Sequence, residues 1–131
     1  MEKIYPPLNL NSKSKLVGMG IDCCAVDRMQ SLLNRRPMFF QSLTTSLEQP
    51  THPPSLTRAL SLWTGKEAIS KALKTGVWQA NIEWKDLQVL MDGQIQLGGY
   101  AKEKFANDHF ELATEIKDGY AFSRVLRWTP L

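Results

Sequence analysis

Glu67 and Lys71 stand four residues apart in the run Trp63-Thr64-Gly65-Lys66-Glu67-Ala68-Ile69-Ser70-Lys71-Ala72-Leu73. On an α-helix that spacing puts both side chains on one face. Lys66 lies about 100° round from Glu67, at the edge of that face. A carboxylate can hold Mg²⁺, and neighbouring ammonium groups can neutralise phosphate oxygens, so the three residues suit phosphoryl transfer. Glu at i with Lys at i+4 is also the favoured surface ion pair, worth roughly 0.2–0.5 kcal/mol. Spacing alone leaves both readings open.

A second acid stands upstream, at the end of Gly18-Met19-Gly20-Ile21-Asp22. The run from Lys15 to Asp22 is short, apolar and glycine-bearing, as a buried strand would be. Its glycines allow close approach of other backbone or of a ligand. Asp22 at a strand end and Glu67 on a helix could share one Mg²⁺, with waters and a diphosphate completing the octahedron.

The elements that must position these groups follow from pattern and punctuation. Val26, Met29, Leu32 and Leu33 repeat at helical spacing and predict a helix over 25–35. Residues 39–48 suggest a second, weaker helix, and Pro50, Pro53 and Pro54 make 49–55 a loop. A long helix over 56–74 is expected, capped by Ser55 and closed by Gly76, with Leu56, Leu60, Trp63, Ile69, Ala72 and Leu73 facing the core. The remainder reads as a β-meander with one helical insertion. Strands are expected at 86–91 and 94–97 around Asp92-Gly93, and at 110–116 and 120–128 around Lys117-Asp118-Gly119. Residues 100–107 form the inserted helix. The class is α+β, a small antiparallel sheet packed against a long helix.

The chain's 131 residues are enough for one hydrophobic core, and 43% of them are hydrophobic. Residues 1–14 are polar with Pro6-Pro7 and read as a flexible leader to one domain over 15–131; they lack the apolar block of a signal peptide. No apolar run approaches the length of a membrane span, so a cytoplasmic location without membrane attachment is expected. Sixteen Lys and Arg against thirteen Asp and Glu give a net charge of +3. That suits an anionic cofactor or an acidic protein partner, and no basic block or aromatic-basic alternation argues for nucleic acid. Cys23 and Cys24 are adjacent, which opposes a mutual disulfide, and are read as reduced thiols at a partly buried strand end.

The chain resembles the 4'-phosphopantetheinyl transferases, within them the small holo-acyl-carrier-protein synthase group. Gly18-Met19-Gly20-Ile21-Asp22 is similar to the family's Gly-x-Gly-x-Asp strand. Trp63 to Leu73, continued by Lys74-Thr75-Gly76-Val77, is similar to its aromatic-x-x-Lys-Glu-Ala-x-x-Lys motif and Gly-Thr-Gly-like sequel. The resemblance implies an Mg²⁺-dependent transfer of phosphopantetheine from coenzyme A to a serine of an apo acyl carrier protein, releasing adenosine 3',5'-bisphosphate. It implies Asp22 and Glu67 as metal ligands. Glu67 would help deprotonate the attacking serine. Lys71 would stand beside the diphosphate, and Lys66, Ser70 and Gly76 would complete the coenzyme A side. It also implies a homotrimer with sites at subunit interfaces. Carrier proteins are acidic, so Arg28, Arg35 and Arg36 are candidate docking residues; a solvated helix face is the other reading of them.

Three positions depart from the family pattern. The usual Ser/Thr-His before the final Tyr-Ala is absent from 113–119, with Lys117 nearby. The arginine just before the motif's aromatic residue is Leu62, and a second acid found in some relatives is Cys24. A relative that binds a carrier protein or a nucleotide without transferring anything is therefore the alternative, and an unrelated α+β interaction module a third reading.

Overall fold

A computed structural model describes residues 14–74 and 81–131. The leader thus lies outside the described residues except for Ser14, which opens the first strand rather than ending the leader. Gly76, expected to close the long helix, is also outside them. The left-handed residue after that helix is Lys74, at φ 59°.

Strand β1 runs Ser14–Ala25, helix α1 Val26–Arg35 and helix α2 Leu56–Ala72. A short hairpin follows, β2 Leu87–Val89 with β3 Ile95–Leu97, then helix α3 Gly99–Lys104 and strands β4 His109–Lys117 and β5 Tyr120–Pro130. Residues 39–48 form one 3₁₀ turn, Phe39–Ser42, and tight turns rather than a second helix.

The expected meander is corrected by the pairing. β5 lies at the centre of an antiparallel sheet in the order β1-β5-β4, and β2-β3 is a separate two-stranded sheet. The β4–β5 hairpin turns at Asp118 (φ 53°) and Gly119 (φ 80°), the two left-handed residues of a type I′ turn. Gly20 pairs with Val125 and Asp22 with Ser123, so the N-terminal strand joins the sheet through its C-terminal neighbour.

α2 crosses this sheet and is buried almost all round: ten of its seventeen residues are buried, including Leu60, Leu62, Ala68, Ile69 and Ala72. The sheet covers one side of it, and α1 and the β2–β3 hairpin pack against others. Ser55 caps it, its Oγ accepting from the Arg58 amide at 3.1 Å. The glycines of β1 are what let helix and strand meet. A Cβ at Gly20 would lie 1.8 Å from the Ala68 carbonyl oxygen, and one at Gly18 would lie 2.1 Å from that of Ala72. The room they leave is filled by helix backbone, not by a ligand. Beneath α2 a hydroxyl chain ties three elements: Ser123 Oγ lies 2.7 Å from Thr64 Oγ1 and 2.8 Å from Thr114 Oγ1.

Candidate active site

The close β1–α2 packing carries Asp22, two residues past Gly20 on the same strand face, up to the helix. There Lys71 Nζ donates to Asp22 Oδ1 and to the Ile21 carbonyl, each at 3.0 Å. Asp22 is 15% exposed and Lys71 51%. An ammonium has three N–H groups, so among the described residues one is left to face a ligand.

Glu67 is one helical turn before Lys71. Its carboxyl is pushed above the usual carboxylate range, first by burial and then by the negative charge of Asp22, with Lys71 opposing both. Asp22 and Glu67 line one cavity of about 450 Å³, with Cys23, Cys24, Arg28 and Arg35. Its apolar wall is Met29, Leu32, Phe39 and Trp63. Trp63 reads as core packing in the sequence but has two roles here. It sits 5.9 Å from the rings of both Phe39 and Trp84 and also faces the cavity.

Arg28 and Arg35, seven residues apart on α1, stand on the cavity rim. Arg36 is not part of that lining; its guanidinium lies 5.5 Å from the centre of the Phe39 ring. Ser70 is buried on α2 and is not part of the cavity wall.

Lys66 requires a correction. Its ammonium is 1% exposed and lies 2.6 Å from Glu48 Oε2, donating also to the carbonyls of Leu87 at 2.7 Å and Trp84 at 2.9 Å. All three donors are used inside the protein, so Lys66 does not reach a phosphate in the cavity. Burial lowers its pKa, and Glu48 opposes that.

The cavity also holds residues whose sequence pattern points to other roles. Met29 and Leu32 carry only a core signal in the sequence and Phe39 only a weak helical one, while Cys24 reads as a reduced thiol at a partly buried strand end. Burial pushes the Cys24 thiol up, so it stays protonated and is a poor nucleophile. Leu62, where the family has an arginine, is completely buried in the core.

Known proteins match this chain in sequence and in fold. The family model of the 4'-phosphopantetheinyl transferase superfamily matches residues 18–125, a span that includes both Asp22 and Glu67. The chain belongs to this superfamily. It is 33% identical over 102 residues to the holo-[acyl-carrier-protein] synthase of Alkaliphilus metalliredigens, covering 73% of this chain and 76% of that one. To the synthase of Cereibacter sphaeroides it is 37% identical over 100 residues, covering 70% and 72%. Among solved structures, the Helicobacter pylori synthase in complex with coenzyme A superposes with a TM-score of 0.70 at 20% identity, over 83% of this chain and 98% of that one. The Bacillus anthracis synthase gives 0.63 at 21% identity, over 87% and 97%. These two likenesses establish the transferase fold.

Proposed function

We propose that this transferase is a holo-[acyl-carrier-protein] synthase, moving 4'-phosphopantetheine from coenzyme A to a serine of an apo acyl carrier protein. The observation that carries the site assignment is the meeting of Asp22, Glu67 and Lys71 at one cavity whose rim bears Arg28 and Arg35. Family membership and the relatives at 33% and 37% identity support the reaction.

The donor set suits Mg²⁺. That ion takes one or two carboxylates and leaves its other positions to waters and substrate phosphates. Asp22 and Glu67 supply two carboxylates, and no group of three or more His, Cys, Asp or Glu able to hold a metal occurs among the described residues. When bound, Mg²⁺ would neutralise and orient the diphosphate oxygens.

The residues divide the remaining work. Lys71 holds Asp22 in place and turns its remaining N–H toward the diphosphate. Glu67, or a water it orients, takes the proton of the serine hydroxyl, and its raised pKa suits that task. The serine oxygen forms a bond to the phosphorus that carries pantetheine. The bond from that phosphorus to the bridging oxygen breaks, and its electron pair leaves with adenosine 3',5'-bisphosphate.

Arg28 and Arg35 would receive the acidic carrier beside the reacting groups. Gly76 remains a secondary candidate on the coenzyme A side, whereas the burial of Ser70 away from the cavity removes it from that role. A homotrimer is supported by the sheet face turned away from α2, where Met19, Ile21, Tyr120 and Phe122 are all exposed. Large apolar side chains gathered on one face mark an interaction surface, and we assign it to further copies of this chain. Among the described residues no helix is long and apolar enough to cross a membrane. The free thiols and the coenzyme A substrate suit the cytoplasm.

The test is direct. The protein is mixed with coenzyme A, Mg²⁺ and an apo carrier protein, and the carrier is weighed by mass spectrometry. A phosphopantetheine adduct is expected. The buried leucine at position 62 favours one second reading, binding without transfer, in which calorimetry detects coenzyme A or carrier and no adduct forms.

A further inference from the structure

Lys66 and Glu67 are neighbours with opposite surroundings. The Lys66 ammonium is saturated by Glu48 and the carbonyls of Trp84 and Leu87. Glu48, 0% exposed, is saturated in turn. Its Oε1 accepts from the Thr45 amide at 3.1 Å, and its Oε2 accepts from the Val89 amide at 2.9 Å. Arg58, two turns earlier on α2, donates to the Glu48 carbonyl at 2.8 Å and to the carbonyl of Val89.

Three segments distant in sequence therefore close on one buried ion pair: the turn before Glu48, the stretch 84–89, and α2. On that side Gly65 lets β2 approach, since a Cβ there would stand 3.1 Å from Val89. Successive helix residues are about 100° apart, so fixing the direction of residue 66 fixes that of residue 67. A buried pair of this kind contributes little net stability compared with an apolar pair, but it specifies one arrangement of the parts it joins. Breaking it from one side leaves an uncompensated charge.

We infer that the Lys66–Glu48 pair is a positioning device for the proposed transfer: it sets the rotation of α2 that turns Glu67 into the cavity opposite Asp22, without touching coenzyme A. The inference rests on the reaction proposed above for Asp22 and Glu67. Lys66 is a positioning residue in it.

The experiment compares wild type, K66M, E48Q and the double variant E48Q/K66M. Transfer kinetics are read together with Mn²⁺ binding by electron paramagnetic resonance, with and without coenzyme A, and the fraction folded is taken from thermal melts. For K66M, kcat per folded molecule is expected to fall about tenfold or more, with KM for coenzyme A within about twofold of wild type and weaker Mn²⁺ binding. The double variant removes both charges at similar volume and is expected to recover most of kcat, Mn²⁺ affinity and thermal stability. If K66M does not fold, the double variant against E48Q carries the comparison.

Two outcomes overturn the inference. A rise in KM for coenzyme A of about tenfold in both K66M and the double variant would mean that Lys66 contacts the substrate. A lowered melting temperature with wild-type kcat and Mn²⁺ affinity would mean that the pair only holds the fold. Failure of the reaction itself looks different: wild type then makes no adduct, while the Mn²⁺ measurements still report whether the pair aligns the two carboxylates.

Discussion

At residue scale, the identity of the neighbours decides what each charged group can do. Lys66 and Lys71 belong to the same motif, yet one spends all its donors inside the protein and the other is half exposed beside Asp22. Lys71→Met is therefore expected to raise KM for coenzyme A and lower kcat, together about a hundredfold in kcat/KM, measured by initial rates of carrier modification. Glu67→Gln and Asp22→Asn are each expected to abolish transfer while the circular dichroism spectrum stays native. Glu67 also carries a pH signature. Its folded pKa is raised above the ordinary range of a glutamate, so the fold favours the protonated form. Charging the group then costs stability as pH rises through that window and above it. Glu67→Gln should melt higher than wild type near neutral pH in metal-free buffer, and the difference should shrink toward zero as pH falls below the ordinary carboxylate range. An unchanged difference at all pH values would contradict the burial and Asp22 repulsion assigned to this group.

At element scale, the joint between β1 and α2 builds the site. Gly20→Ala would drive a methyl group into the Ala68 carbonyl, and backbone cannot yield as a flexible side chain does. We expect a loss of about 3 kcal/mol or more in chemical denaturation, with transfer lost even where the fold survives, because Asp22 moves away from Glu67. Much of the element order is legible in the sequence because its signals are local. Ser55 before an apolar run, Asp92-Gly93 and Asp118-Gly119 each act on their own neighbours. What escapes is non-local. The pairing of β1 with β5 joins Gly20 to Val125, and no nearby residue announces it. α2 is buried nearly all round, so its periodicity does not show which face meets the sheet. Lys66 reads as a phosphate-facing charge until its partner Glu48, eighteen residues earlier, is in place. The same distance effect hides Phe39 and Leu32 in the cavity wall, since only the packing of α1 and its following turn on α2 brings them to Glu67. The proposed Asp22–Glu67–Lys71 site is suggested in the sequence by the residue types of its motifs, although their spacing alone does not distinguish it from a surface ion pair.

At the scale of the whole molecule, two surfaces remain to be used. The exposed row of Met19, Ile21, Tyr120 and Phe122 lies on one sheet face, and Ile21→Glu is expected to convert a proposed trimer to monomer in light scattering, lowering transfer with it. A wild-type monomer at micromolar concentration would contradict that assembly. The α1 rim is expected to act through charge. Reversal at both Arg28 and Arg35 should raise KM for the carrier about tenfold or more, with kcat for bound carrier little changed and the salt dependence of KM reduced. Between both surfaces lies the proposed site, where a strand tip and a helix would bring two carboxylates to one divalent cation. The most direct test is a crystal structure with Mn²⁺ and coenzyme A, read by anomalous scattering. One Mn²⁺ peak within ligand distance of both the Asp22 and Glu67 carboxylates is expected. A peak away from either carboxylate, or one retained at full height in D22N/E67Q, would contradict the proposed site.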